Sequence, residues 1–161
     1  EQWDAPRPAA YSSGCHAAVV EVDPATGAVN LLRYVIAHDT GQAINQTTLE
    51  GQLQGGWVHG LGYALFEEAV YQADGGFQSA SFLDYTIASA PEASAPLELV
   101  SLNRPTDSNP EGVKGAGESG TIPVPACIAN AVEDAVRRLK PDAFIDRIPI
   151  TPQRLQALIS R

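Results

Sequence analysis

The sequence predicts an α+β fold, with hairpins and a mixed sheet beside a glycine-rich helix and two C-terminal helices. In the N-terminal part, β-branched runs with partial alternation flank a proline–glycine turn, which is typical of a hairpin. Later segments carry apolar residues at helical spacing. The elements do not follow the strict strand–helix–strand order of an α/β protein, so α+β is the better class.

Composition narrows the class of protein. The chain has 161 residues, of which 44% are hydrophobic and 18% charged, a profile typical of a folded domain. A net charge of −9 disfavours nonspecific nucleic-acid binding, because attraction to phosphate needs a basic surface. There is no apolar run of about 18 residues that would span a membrane. Cys15 and Cys127 are too few for a disulfide framework and are interpreted as small buried side chains.

The chain contains no methionine, which predicts a processed or C-terminal piece of a longer protein. Residues 1–14 are polar and contain proline, and are interpreted as a linker or arm from an upstream segment. Residues 15–161 form the predicted domain. The acidic composition and the lack of a visible signal peptide favour a cytoplasmic location.

The first predicted elements are a strand at 16–23, a turn at 24–27 and a strand at 29–37. A helix follows, for which Thr47 or Thr48 is the predicted N-cap. Its apolar residues recur at helical spacing: Leu49, Leu53, Trp57, Val58, Leu61, Ala64 and Leu65. The segment also holds five glycines, each costing a helix about 1 kcal/mol relative to alanine. Close approach of another backbone or of a ligand would explain them, and both explanations remain open here.

The rest of the chain carries weaker signals. Thr151 followed by Pro152 indicates the start of a last helix. The remaining predicted elements are paired strands at 66–71 and 77–82 around a turn at 74–76, a strand at 97–102, a helix at 123–139, a short strand at 144–150 and the last helix at 153–160.

A glycine-rich loop at 111–121 is the strongest candidate for a site, because it precedes a predicted helix and carries Glu118. It is not a P-loop, since the Gly-Lys-Ser/Thr order is missing. In a partly dry pocket Glu118 would act as a general base. Asn45, Gln52 and Gln54 are candidate hydrogen-bonding groups, and His38 and His59 are alternative acids or bases. The competing interpretation is a solvated turn with a capping glutamate.

Three motifs occur in order: His38-Asp-Thr-Gly-Gln-Ala-Ile-Asn45, Glu50-Gly-Gln-Leu-Gln-Gly-Gly-Trp-Val-His-Gly-Leu-Gly62 and Gly112-Val-Lys-Gly-Ala-Gly-Glu-Ser-Gly120. Together they resemble the molybdenum-binding subunit of the xanthine oxidase family, which includes aldehyde oxidoreductases and the molybdenum CO dehydrogenase. The resemblance extends over nearly all of this chain but only over the C-terminal part of that subunit. One departure is Gln46, where the family usually has proline.

The resemblance implies a molybdopterin-binding domain with specific roles for these motifs. Glu118 matches the family's general base, which accepts a proton during oxidative hydroxylation of an aldehyde or N-heterocycle. Gln52 matches a glutamine that hydrogen-bonds molybdopterin. Lys114, Gly115, Ala116 and Gly117 match a backbone segment along the cofactor. The implied cofactor is molybdenum-molybdopterin in its cytosine dinucleotide form, and this chain supplies no metal ligand.

The resemblance also implies a larger assembly. Its expected parts are an upstream molybdopterin-binding segment, iron–sulfur (2Fe-2S) and FAD subunits or domains, and a small-molecule substrate, with neither nucleic acid nor membrane as a partner. A higher-order oligomer of the parent enzyme is expected, and the chain alone should be inactive. Two alternatives remain: oxidation of CO, as in a CO dehydrogenase, and a non-catalytic scaffold of the same fold, in which Glu118 would have no role.

Overall fold

A computed structural model describes residues 10–160. It contains three strands, β1 (Ser13–Val22), β2 (Val29–Asp39) and β3 (Leu97–Ser101), and three helices, α1 (Gln46–Leu65), α2 (Val124–Arg137) and α3 (Pro152–Ile159). The described residues therefore form the α+β arrangement that the sequence predicts. None of these helices is both long and apolar enough to cross a membrane.

The strands form one mixed sheet in the order β1-β2-β3. β1 and β2 pair antiparallel, with a bulge between Val19 and Val20, and this confirms the predicted hairpin. β3 adds to β2 in parallel, so a chain connection of more than fifty residues, including α1, separates these two neighbours. β1 begins at Ser13, so residues 13 and 14 belong to the sheet and not to the predicted arm; residues 1–9 of that arm lie outside the described residues.

The core lies between the sheet and the helices. Leu53, Trp57 and Leu61 of α1 are buried one turn apart, as the helical spacing predicts. In α2 every fourth residue is fully buried: Val124, Ile128, Val132 and Val136. These stripes pack with Tyr34 and Ile36 of β2 in one apolar cluster. The apolar stripe of each helix thus fixes its face toward the core.

The start of α1 differs from the prediction. Asn45 is the N-cap, and its side-chain oxygen accepts a hydrogen bond from the Thr48 amide at 3.0 Å. Asparagine is at least as favourable an N-cap as threonine. Because Asn45 is the cap, α1 begins at Gln46. The predicted cap of α3 is confirmed, since the Thr151 hydroxyl accepts from the Arg154 amide and Pro152 opens the helix.

The three strands predicted at 66–71, 77–82 and 144–150 are wrong. Between 66 and 82 the structure has one isolated bridge, Tyr71 to Phe77, around a turn, and most side chains there are exposed. Residues 144–150 are irregular, and Pro149 has no N–H to give to a ladder. Apolar runs of this length form strands only where a neighbouring strand and a buried face exist.

The prediction that both cysteines are buried is wrong for Cys15, which is exposed, whereas Cys127 is half-buried.

Candidate functional site

Helix α1 and the glycine-rich loop, which are distant in sequence, meet in the structure. The Gln52 side-chain amide donates a hydrogen bond to the Gly117 carbonyl oxygen at 2.6 Å. A methyl group on Gly120 would lie 2.6 Å from the Leu53 carbonyl oxygen, so the loop backbone rests directly on α1. Two of the residues predicted for the cofactor, Gln52 and Gly117, are therefore neighbours.

The glycines of α1 fall into separate groups. A methyl on Gly56 would approach the Gly120 carbonyl carbon to 3.0 Å, and one on Gly60 would lie 2.5 Å from the Val124 Cβ. Close packing against the end of the glycine-rich loop and the start of α2 therefore explains these two positions. Apart from the neighbouring backbone of α1 itself, no atom of the described residues lies within 4 Å of a methyl added to Gly51 or Gly55. Close packing is therefore confirmed for Gly56 and Gly60. Approach of a ligand stays a prediction, and of the two open positions only Gly55 lines the cleft described below.

A cleft of about 520 Å³ lies between α1 and the loop. Its volume is in the range of pockets that hold small ligands. The lining residues are Gln52, Gly55, Gly56, His59, Tyr63, Gly117, Glu118, Thr121, Ile122 and Pro125. A second cleft of about 380 Å³ lies around α3 and contains none of the predicted site residues. The α1 cleft is therefore the candidate site.

Glu118 stands at the cleft with an exposed side chain. The partly dry pocket expected around it is not formed by the described residues alone. Gly55 and Gly117 line the same cleft, and beyond their own chain neighbours no atom in the described part of the chain lies within 4 Å of a methyl added to either. These two glycines leave a surface where a flat ligand can approach the backbone closely.

Lys114, Gly115 and Ala116 do not line the cleft. The Lys114 ammonium donates to the Asp39 carboxylate at 2.7 Å, and both side chains are largely buried. Gly115 is exposed, with open space around it, whereas Ala116 is half-buried against the core. The side chain of Lys114 is therefore used to hold the loop in place, which leaves only the backbone of this segment for a ligand.

The loop after β2 is hydrogen-bonded to the glycine-rich loop through the backbone. The Lys114 amide donates to the Thr40 carbonyl at 3.0 Å, and the Gln42 amide donates to the Gly112 carbonyl at 2.9 Å. Gly41 has a φ of 71°, and a methyl there would lie 2.3 Å from the Gly112 carbonyl oxygen. Glycine is therefore required at position 41. The first motif supports the third one and does not itself line the cleft.

The two candidate histidines have different surroundings. His38 is 1% exposed, and neither ring nitrogen has a hydrogen-bond partner among residues 10–160. Its burial lowers its pKa, against the opposing charges of Asp39 and Glu50. His59 lines the cleft, and its Nε2 is hydrogen-bonded to the Tyr63 hydroxyl. Only His59 can contact a ligand in this cleft.

The sequence reasoning missed Tyr63, which follows His59 by one helical turn on the same face of α1. The helical spacing from Gln52 through Gly56 to His59 would have indicated it. Of the other candidate hydrogen-bonding groups, Asn45 caps α1, and Gln54 is exposed away from the cleft. Within residues 10–160, no three His, Cys, Asp or Glu side chains come together in a way that would hold a metal ion.

The family model of the molybdopterin cofactor-binding domain matches residues 1–94. The chain belongs to this family. The molybdopterin-binding domain is 40% identical over 153 residues to the nicotine 6-hydroxylase large subunit of Paenarthrobacter nicotinovorans. That alignment covers 95% of this chain but only 18% of the relative, so the chain spans less than a fifth of its length.

Solved structures agree with this assignment. Quinoline 2-oxidoreductase from Pseudomonas putida 86 matches 92% of this molybdopterin-binding domain with a TM-score of 0.86 and 35% identity, over 19% of its own chain. CO dehydrogenase from Oligotropha carboxidovorans matches 91% with a TM-score of 0.85 and 30% identity, over 18% of its chain. The resemblance to the xanthine oxidase family and the fold that it implies are confirmed.

Proposed function

We propose that this molybdopterin-binding domain is part of a molybdenum hydroxylase and supplies its general base, Glu118. The observation that carries the proposal is the contact between Gln52 and Gly117, which brings α1 and the loop together around the cleft where Glu118 is exposed. A carboxylate with free access to the cleft can accept a proton from a reacting group there.

The cleft residues fit a bulky, flat cofactor. Gln52 uses one N–H group for Gly117, so its second N–H and its carbonyl oxygen remain available to a pterin. The open faces of Gly55 and Gly117 allow such a ring system to approach the backbone. The backbone from Lys114 to Ala116 would extend this contact beyond the cleft. When bound, molybdenum-molybdopterin supplies the two-electron redox chemistry, and we propose its cytosine dinucleotide form.

The residues of this chain have two tasks in that reaction. Gln52 and the glycines orient the cofactor, and the Asp39–Lys114 ion pair fixes the loop that carries Glu118. Glu118 then receives a proton at its carboxylate oxygen and later returns it to solvent. Because the cleft is open in the described chain, exclusion of water would come from other parts of the enzyme.

An aldehyde or N-heterocycle is the proposed substrate. The names of two relatives, nicotine 6-hydroxylase and quinoline 2-oxidoreductase, refer to N-heterocycles, and these proteins are 40% and 35% identical to this chain. CO dehydrogenase is 30% identical, which favours hydroxylation over CO oxidation. The copper content of the whole enzyme separates the two reactions.

The larger assembly is part of the proposal. Electrons would leave through 2Fe-2S and FAD groups on partner subunits or domains, and the upstream segment would complete the cofactor site. Because the chain spans only 18% of the nicotine 6-hydroxylase subunit, we expect no turnover by the chain alone. A higher-order oligomer and a cytoplasmic location also remain predictions.

The test uses the whole enzyme, purified from a host that makes the molybdenum cofactor. Glu118→Gln should lower kcat/KM for a panel of aldehydes and N-heterocycles by about 10²- to 10⁴-fold, the usual contribution of a general base. The molybdenum content should not change. Glu111→Gln is the matched control, because Glu111 is an exposed glutamate of the same loop that does not line the cleft.

Two results would contradict the proposal. If the Glu118→Gln enzyme turned over at nearly the rate of the Glu111→Gln control, Glu118 would not be the general base, and the scaffold interpretation would be favoured. A folded whole enzyme without molybdenum would exclude the cofactor itself.

A further inference from the structure

One face of α1 forms a continuous wall of the cleft. Gln52, Gly56, His59 and Tyr63 follow one another at intervals of three or four residues, which places them on one side of the helix. At a rise of about 1.5 Å per residue, His59 lies about 10 Å and Tyr63 about 16 Å along the axis from Gln52. The cleft therefore has two ends: Gln52 at the Glu118 end and the His59–Tyr63 pair at the other.

The His59–Tyr63 pair always leaves a donor free. The His59 Nε2 and the Tyr63 hydroxyl are 2.5 Å apart. If the hydroxyl donates, Nε2 is the acceptor and the Nδ1–H remains free. If Nε2–H donates, the hydroxyl hydrogen remains free. In either tautomer the pair therefore keeps one hydrogen-bond donor that it does not use internally.

The surroundings of the pair suit an oxygen acceptor. His59 is exposed and Tyr63 half-buried, so both are accessible from the cleft. Among the described residues that line the cleft, Glu118 is the only acid, and it belongs to the other end. Glu67, which follows α1, accepts a hydrogen bond from the Tyr85 hydroxyl at 2.7 Å and does not line the cleft. An oxygen-rich group beside the pair would therefore receive hydrogen bonds there and would not be repelled by a carboxylate of the cleft lining.

We propose that His59 and Tyr63 bind an oxygen-bearing end of the molybdopterin cofactor, distant from Glu118. This inference rests on the proposed function and adds a second contact to that of Gln52. A ligand that touches both ends must extend about 10–16 Å along α1, depending on whether it reaches His59 or Tyr63. A cofactor built of a pterin, a phosphate and a nucleotide has that length and the required oxygens, whereas a single small heterocycle does not.

The test measures how firmly the whole enzyme holds its cofactor. His59→Ala, Tyr63→Phe and the double variant are dialysed with the parent enzyme, and the molybdenum and pterin that remain are followed over time. Loss of one hydrogen bond should speed the release about three- to tenfold. Since the two residues act as one pair, the double variant should release cofactor at nearly the rate of the faster single variant.

Gln54→Ala is the matched control, because Gln54 is exposed on the same helix and does not line the cleft. It should release cofactor at the parental rate. Tyr63→Phe keeps the ring and loses only the hydroxyl, and His59 is exposed, so both variants should keep the parental Tm.

Equal release by the parent and both single variants would overturn the inference. A raised KM with unchanged release would also overturn it, because the contact would then belong to the substrate. The proposed function fails differently, through a parent enzyme that contains no molybdenum or a Glu118→Gln enzyme with undiminished turnover.

Discussion

Removal of the Asp39 carboxylate should destabilise the domain more than removal of an exposed carboxylate. One Asp39 oxygen accepts from the Lys114 ammonium at 2.7 Å, and the other accepts from the amides of Gly41 and Arg104 at 3.1 Å each. The side chains of the ion pair are 8% exposed for Asp39 and 17% exposed for Lys114. Asp39→Asn keeps the acceptor for the two amides but leaves the Lys114 charge without a partner.

The expected loss is about 3 kcal/mol of the free energy of unfolding, the lower end of the range for breaking a buried pair, since Lys114 is not fully buried. Glu98→Gln is the control, because the Arg33–Glu98 pair is 60% and 52% exposed and should contribute about 0–1 kcal/mol. Urea unfolding followed by tryptophan fluorescence measures both, and Trp57 is a suitable reporter because it is 3% exposed. Similar losses for the two variants would refute the reasoning.

The pH dependence gives a second check on the same residue. The hydrogen bond from Lys114 lowers the pKa of Asp39, and burial opposes this effect only in part. The stabilisation is therefore fully present above the unfolded-state pKa of about 3.9 and is lost as pH falls through the lower folded-state value. The difference between parent and Asp39→Asn should shrink below about pH 4. A difference that stays constant with pH would contradict the ionic origin.

Two further changes are predicted in the core and in α1. Gly51→Ala should raise the free energy of unfolding by about 1 kcal/mol, because an added methyl meets open space. Gly60→Ala should lower the free energy of unfolding by about 1–3 kcal/mol, because the added methyl would overlap Val124. Urea unfolding in which both variants shift in the same direction would contradict this reasoning. Burial lowers the pKa of His38, so the unfolded chain binds more protons there and stability should fall as pH decreases below about 6.5. His38→Leu should reduce this slope in unfolding measured at pH 5, 6 and 7, and an unchanged slope would exclude His38 as its source.

The sequence predicted the elements whose signals are local. The hairpin of β1 and β2 has alternation on both sides of a turn. The start of α3 has a threonine cap and a proline within two residues. The apolar stripe of α1 has the helical period throughout its length. In each case residues a few positions apart decide the backbone conformation, so the sequence is sufficient.

The strands predicted at 66–71, 77–82 and 144–150 show the limit of such signals. Their residues have the apolar and β-branched character of strands, but the structure offers them no continuous partner. A strand is stabilised by the neighbour that receives its hydrogen bonds and by the face that it buries. Neither condition can be read from the residues of the segment itself.

Some residues of the candidate site could be predicted from local sequence signals, and the roles of others depend on tertiary packing. The glycine-rich loop, Glu118 and Gln52 could be chosen as candidates from their residue types and from the resemblance to a family. The tertiary structure was needed to show that Gly56 lies against the Gly120 backbone and Gly60 against Val124, while Gly55 lines the cleft. It also assigned Lys114 to Asp39, a partner 75 residues away. Contacts over such separations depend on how the finished elements pack, and local residue preferences do not specify them.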